Sequence, residues 1–324
     1  ARMDGASEFK IFTAIIIPYF ERREELRALL ESISILNLSN ILLTTIVVED
    51  GSFVDNHRNL IETYPNIGIR FLRHTINQGP GYCRNVAAEK TESDYIWFLD
   101  SDAEISRPNT LQHLIDLLTN QPTTLMAGGS IERVDNTLKI MEPMILPNFM
   151  FIYRALPISE RYETIVPFLS TCNMFMRRSD YLLVGGFDPS LKMFEDNEFC
   201  FHLKELKDGH FHQDLDTLVF HAVSPTGRDE GVFDYFKDRN RYFRILLSTR
   251  TILLARYQRW RLLALPFLDL ISLPVIFVGR LRKEWALSRI KQTRSTSRYK
   301  FACILLYLLV LHHILALRRF FTPS

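Results

Sequence analysis

The feature that most constrains this chain is an alternation repeated along its first half. Four strand-like runs recur, the first two apolar and β-branched, and three of the four are followed by a stretch that reads as helix. IFTAIIIPY, from Ile11, breaks at Pro18, and ILLTTIVVEDGS ends at Glu49-Asp50-Gly51. IRFLRH starts at Ile69, and DYIWFL, from Asp94, is closed by Asp100 and Asp102. Runs that are apolar throughout belong to strands buried on both faces. Between them, Leu26, Leu29, Leu30 and Ile33 recur at helical spacing, as do Leu111, Leu114, Ile115 and Leu118. GYCRNVAAEKT predicts a further helix from near Gly81. Strands alternating with helices specify an α/β fold with a mostly parallel sheet and helices on both faces. Ligands of such sheets sit outside the carboxyl ends of the strands. Three polar clusters fall there, Tyr19/Glu21, Glu49/Asp50 and Asp100/Asp102, and should converge on one crevice.

The alternation loosens after about Asn136. LMAGGSIE predicts one more strand, and MEPMILPNF is broken by prolines. FLSTCNMFMRR, from Phe168, predicts a strand, and SDYLLVGGF a short helix stopped by glycines. FEDNEFCFHLKEL, from Phe194, predicts a helix, and LVFHAV, from Leu218, a strand. The opening ARMDGASEF reads as a remnant foreign to the fold, so residues 1–10 are left outside it.

Asp100-Ser101-Asp102 poses the chemical question. Residues i and i+2 of a strand face the same side, so this spacing predicts two adjacent carboxylates. Such a pair repels unless a cation or a proton relieves it. A hard divalent ion such as Mg²⁺ or Mn²⁺ takes oxygen ligands and bridges carboxylates to phosphates, which points to a diphosphate ligand. Alone, the pair also fits a solvated turn. Glu49-Asp50-Gly51-Ser52 fits either a strand-end turn or a carboxylate that accepts from a base or ribose. In NQGPGYCRN, Gly79 and Gly81 precede Arg84, which stands where a dinucleotide fingerprint wants its third glycine. The stretch also follows the third strand, so a nicotinamide-type fold is rejected. A helix start with Arg84 still suits an anion.

Zinc is disfavoured. The four cysteines are scattered with no CxxC, and a reducing compartment is the natural reading. His210 and His212 flank one phenylalanine beside a glycine and read as a solvated loop. DRNRYFRILL, from Asp238, reads as a helix packing Tyr242, Ile245 and Leu246 inward, not as a nucleic-acid surface.

IIIPYFERREELRALLESI, VVEDGS, NQGPGYCRNVAAEKTESDYIWFLDSDAEI, GGFDPSL and FEDNEF, in this order and spacing, resemble family 2 glycosyltransferases of the GT-A fold, over roughly Ile11 to Ser248. The resemblance implies an inverting transfer of one sugar from a nucleotide-sugar donor to a hydroxyl of a glycan or lipid-linked acceptor. It implies that Pro18, Tyr19 and Glu21 line the nucleotide pocket and that Asp50 contacts the base. Arg84 would meet the nucleotide or its phosphates, while Asp100, Ser101 and Asp102 cradle ribose and metal. His221 would join Asp102 on a Mn²⁺ or Mg²⁺ ion. Asp196, with Glu195 beside it, would be the general base, although N-terminal helix charge alone accounts for an acidic pair there. The second motif departs from the commoner Asp-Asp by reading Glu49-Asp50. UDP is the expected donor nucleotide, with dTDP and GDP open. Thr171, Cys172 and Asn173 are the expected acceptor contacts. SPTGRDEG, from Ser224, is either a surface loop or one that closes over the diphosphate through Arg228. Two rivals stay open: a sugar-nucleotide nucleotidyltransferase, for which the first strand lacks a glycine-rich lysine loop, and an inactive glycan-binding module.

The domain expectation is a catalytic body at 11–250, split at 135/136 into nucleotide and acceptor halves, and a helical extension at 251–324. From Arg256 onward 13 Lys/Arg stand against Asp269 and Glu284, a balance of +11 that leaves −9 on the preceding residues. An acidic body with a basic, apolar tail points to an anionic membrane surface. Leu262–Val278 and Phe301–Leu317 are short for spanning helices. Arg280–Lys300 between them holds eight Lys/Arg and only Glu284. Two spans would put that loop opposite the cytoplasmic donor, against the positive-inside tendency. Peripheral, monotopic helices on the cytoplasmic face are therefore expected, with a helical homodimer interface as the competitor. The chain lacks the Gln-x-x-Arg-Trp spacing of processive synthases, since Gln258-Arg259-Trp260 is too close.

Overall fold

The computed structural model describes residues 10–221 except 53–57, 130, 133–136, 144–150, 158–162, 167 and 192–193, and beyond 221 only 252, 255, 256 and 313. Arg228 with its loop, the arginine-rich segment from Asp238 and, His313 aside, both apolar tail segments lie outside the described residues. No helix among the described residues is long and apolar enough to cross a membrane. The chain divides into two compact units, Ala1–Glu142 with Tyr153–Val232 and Pro143–Ile152 with Phe233–Ser324. The described site residues belong to the first.

The elements run β1 (Ile11–Tyr19), α1 (Arg23–Ser34), β2 (Ile41–Asp50), α2 (Arg58–Thr63), β3 (Ile69–His74), α3 (Pro80–Glu89), β4 (Tyr95–Leu99), β5 (Ala103–Ile105), α4 (Thr110–Asn120) and β6 (Thr124–Gly128). Then come β7 (Ile131–Glu132), β8 (Thr137–Pro143), β9 (Phe151–Pro157), β10 (Glu163–Val166), β11 (Asn173–Arg177), α5 (Arg178–Val184), α6 (Glu195–Leu206), β12 (His210–Asp214) and β13 (Val219–His221). An eight-stranded sheet has the order β10-β12-β6-β11-β4-β1-β2-β3, and a five-stranded one β5-β13-β7-β8-β9. The pairs β4–β1, β1–β2 and β2–β3 are parallel, as the alternation predicts. Strand β11 enters antiparallel between β4 and β6, which no local pattern announced.

Both faces of the large sheet are covered, and the pleat decides what each face meets. Ile15, Ile17, Trp97 and Leu99 face the cluster containing Leu29, Leu30 and Ile33 of α1 and Leu111, Leu114 and Leu118 of α4. These are the helical-spacing residues read from the sequence, and all are buried. On the other face the Phe98 ring lies 5.6 Å from Tyr181 of α5 and 5.2 Å from Phe187. Phe187 in turn stands 4.7 Å from Phe199 of α6. The residue after Leu99 therefore has the parity of Phe98 and turns toward α3 and α6.

Two expectations need correction. LMAGGSIE is not one strand but two, β6 and β7, in different sheets. Gly128 and Gly129 make the break with φ of +124° and +72°. A Cβ at Gly128 would stand 2.5 Å from the Asn173 carbonyl oxygen, so only glycine permits β11 to pass that close. The His210/His212 stretch is strand β12, not a solvated loop, and His212 is buried. Parallel pairing with β6 supplies the backbone partners that a loop would have sought in water.

Candidate active site

In the strand order β4-β1-β2-β3, the chain leaves β3 and returns on the far side of β1. The sheet thus has a switch point beside β1, where the carboxyl ends open a crevice. Register places Tyr19 opposite Glu49 and Asp50 opposite His74, so the first two polar clusters are neighbours. The Tyr19 phenol is pushed up to about 12, mainly by burial and then by Glu49, and stays protonated at neutral pH. Pro18 precedes it at the rim. Glu21 takes a left-handed φ of 51°, and its N–H donates to Ser52 Oγ at 3.2 Å, tying the first strand end to the second.

Asp50 anchors the segment that leads into α3. Its Oδ1 accepts from the Gln78 N–H at 2.8 Å and its Oδ2 from the Gly79 N–H at 2.8 Å. Gly51, with φ +81°, makes this possible, because a Cβ there would meet the Asn77 nitrogen at 2.7 Å.

The aspartate pair differs from the i, i+2 strand expectation. Strand β4 stops at Leu99, and Asp100–Asp102 form a turn closed by the Ala103 N–H on the Asp100 carbonyl at 3.0 Å. The strand rule for side chains no longer governs there. Asp100 keeps the parity of Phe98 and accepts from Arg84 Nη2 at 2.7 Å. Asp102 divides its oxygens: Oδ2 accepts from Arg22 Nη1 at 2.5 Å, and Oδ1 lies 3.1 Å from His221 Nε2. Strand pairing explains the second contact. His221 of β13 is registered against Ala103 of β5, the residue after Asp102. Ser101 is buried between the two aspartates.

Arg84 is wholly buried. Besides Asp100 it donates from Nη1 to Glu195 Oε1 at 2.9 Å, and its guanidinium stands 5.7 Å from the Phe187 ring centre. Both Nη atoms thus serve carboxylates of this chain, from β4 and from α6, where the sequence suggested a nucleotide contact. Glu195 and Asp196 open α6 after Phe194, whose φ of 64° is left-handed. Glu195 is buried, whereas Asp196 is partly open and its Oδ1 accepts from the Asn197 N–H at 2.9 Å. Two adjacent acids are thereby given different surroundings.

Thr171, Cys172 and Asn173 are all buried. The Asn173 amide accepts from Trp97 Nε1 at 3.0 Å and donates to the Thr217 carbonyl at 2.6 Å, a joint between the sheet and the segment leading to β13. Cys172 Sγ, an Asp100 oxygen and a His221 nitrogen all lie within 4.8 Å of one another. Arg22 is the contact that sequence reasoning missed; in FERREE it is one arginine among several charges, with no spacing that singles it out.

His221 stands between two carboxylates, 3.1 Å from Asp102 and within 4.8 Å of Asp100. The 3.1 Å between Asp102 and His221 matches adjacent corners of an octahedral ion with bonds of about 2.1 Å. The donor set fits a hard divalent cation.

The sequence matches the model of glycosyl transferase family 2 over residues 14–182, just over half of the chain. An uncharacterized glycosyltransferase of Haemophilus influenzae is 24% identical over 237 residues, covering 69% of this chain and 76% of that protein. The structure of S. aureus TarS 1-349 in complex with UDP superposes with a TM-score of 0.51 at 18% identity, over 78% of this chain and 72% of that one. The mannosyltransferase PcManGT from Pyrobaculum calidifontis, in complex with GDP-Man and Mn²⁺, gives 0.54 at 13% identity, over 95% and 87%. At these identities the structural likeness speaks for the fold. Together with the family match it makes the chain a member of glycosyl transferase family 2, a transferase with the GT-A fold.

Proposed function

We propose that the protein transfers one sugar, with inversion, from a nucleotide-sugar donor to a hydroxyl of a glycan or polyprenyl-linked acceptor. The carrying observation is that Arg84 joins Asp100 to Glu195, the neighbour of Asp196, while His221 lies beside Asp102, two residues after Asp100. Asp196 takes the proton of the acceptor hydroxyl as its oxygen attacks the anomeric carbon and the bond to the diphosphate breaks. Glu195 holds the start of α6 in place through Arg84. A divalent cation on Asp100, Asp102 and His221 would offset the charge gathering on the departing diphosphate. UDP is the nucleotide we favour, supported by the UDP-bound TarS neighbour; GDP is the alternative that PcManGT supports. The test is the anomeric configuration of the new glycosidic bond, read by NMR coupling at the anomeric position. An α-linked donor should give a β-linked product, and retained configuration would contradict the single displacement.

The extension is proposed to rest on the cytoplasmic face of the membrane. Its support is the +11 balance from Arg256 onward beside two apolar segments. The protein should co-sediment with vesicles containing anionic lipid and be released by high salt. Equal binding to neutral vesicles, or none, would rule out this electrostatic seating.

A further inference from the structure

A second constellation lies beside the nucleotide crevice and takes no part in the transfer chemistry. Asp50 ends β2, His74 ends β3 in matched register, and Cys83 sits in the first turns of α3. One ligand atom from each lies within 4.8 Å of the other two. His74 Nδ1 is 3.9 Å from Asp50 Oδ1 and 4.0 Å from Cys83 Sγ. Two adjacent strands and a helix therefore present oxygen, nitrogen and sulfur to one point, from rigid elements and not from loops.

Burial, and then the Asp50 carboxylate, push the Cys83 thiol far up. Cys83 is fully enclosed, which also denies it to a bulky electrophile. What remains is ligation by a small cation. Zinc binds sulfur at about 2.3 Å and imidazole at about 2.0–2.1 Å, so tetrahedral neighbours stand about 3.4–3.6 Å apart. The observed 3.9 and 4.0 Å need a contraction of only about half an ångström. The His74 side chain is 17% exposed and forms the open edge, where water can complete the coordination. Asp50 can ligate without abandoning its amides, because each carboxylate oxygen has two acceptor directions.

We propose that Asp50, His74 and Cys83 form a binding site for Zn²⁺, separate from the Asp100/Asp102/His221 centre, and that its occupancy opposes donor binding. The opposition rests on the proposed function, in which Asp50 contacts the base of the donor. A carboxylate oxygen turned to zinc is no longer available to that base. Binding replaces the thiol proton with the metal, releasing one proton per ion and making affinity rise with pH.

Cobalt(II) is the probe for the site, since its bond to a thiolate gives a near-ultraviolet charge-transfer band and a tetrahedral visible spectrum. The full chain titrated with Co²⁺ should show both, and Zn²⁺ should bleach them. Cys83→Ala should abolish the charge-transfer band, and His74→Gln, at a partly open position, should weaken it. Cys172→Ser should keep it, which matters because Cys172 lies near Asp100 and His221. No band, or a band lost with Cys172 and kept without Cys83, overturns the site. The coupling is read separately by calorimetry. Zn²⁺ should raise the Kd for UDP about tenfold in the wild type, within the usual range of coupling between sites, and not in Cys83→Ala. An unchanged Kd in the zinc-loaded wild type overturns the coupling. Failure of UDP, GDP and dTDP all to bind would count against the proposed function, while the cobalt spectrum still decides the metal site.

Discussion

Asp196→Asn is expected to lower turnover by about 10²- to 10⁴-fold, the usual contribution of a positioned general base, and to leave nucleotide affinity unchanged. The amide keeps the shape of the side chain and can still accept from the Asn197 N–H at the start of α6. What it loses is the ability to take a proton from the attacking hydroxyl. Glu195 cannot substitute, because its carboxylate is committed to Arg84. Single-turnover kinetics beside calorimetric UDP binding separates the two quantities. Full turnover in the variant would remove Asp196 from the base role. A collapse of UDP binding with no further loss in the chemical step would make it a donor contact instead.

Arg84→Ala is expected to destabilise the fold by about 3–5 kcal/mol, the cost of removing one partner from a buried ion pair. The guanidinium is 1% exposed and its two carboxylate partners are 15% and 11% exposed, so little water reaches the charges left behind. Arg84→Lys should recover only part of this loss. One ammonium cannot reproduce the planar fork that reaches Asp100 from one Nη and Glu195 from the other. Urea unfolding of the three proteins measures the effect. If Arg84→Ala were as stable as the wild type and lost only nucleotide affinity, Arg84 would be a donor contact and not the joint between β4 and α6.

The contrast between these residues shows what the sequence could carry. Strands β1, β2 and β4 were legible because each is a continuous apolar run, and α1 and α4 because their buried faces repeat at helical spacing, whereas the short α2 carries no such repeat and was not legible. The crevice was legible because a parallel sheet gathers its carboxyl ends at one edge. Who touches whom inside the crevice was not. Arg22 reaches Asp102 across 80 residues, Arg84 reaches Glu195 across 111, and His221 reaches Asp102 across 119. The last follows from the pairing of β13 with β5, which local periodicity does not encode. Asn173 illustrates the same limit. In sequence it is a polar residue beside the expected acceptor site; in the fold it joins Trp97 to the backbone before β13. The aspartate pair departs from expectation for a local reason: β4 ends at Leu99, so Asp100 keeps the parity of Phe98 while a turn, and not the pleat, aims Asp102.

The proposed transfer requires Asp102 and a divalent cation together to hold the donor's diphosphate. Calorimetric binding of UDP, GDP and dTDP to the wild type and to Asp102→Asn, each with and without Mn²⁺, tests this directly. The predicted result is tight binding of one nucleotide, UDP, that requires both Mn²⁺ and an intact Asp102. Binding of UDP that is indifferent to Mn²⁺ and to the substitution, or binding of no nucleotide at all, would contradict it.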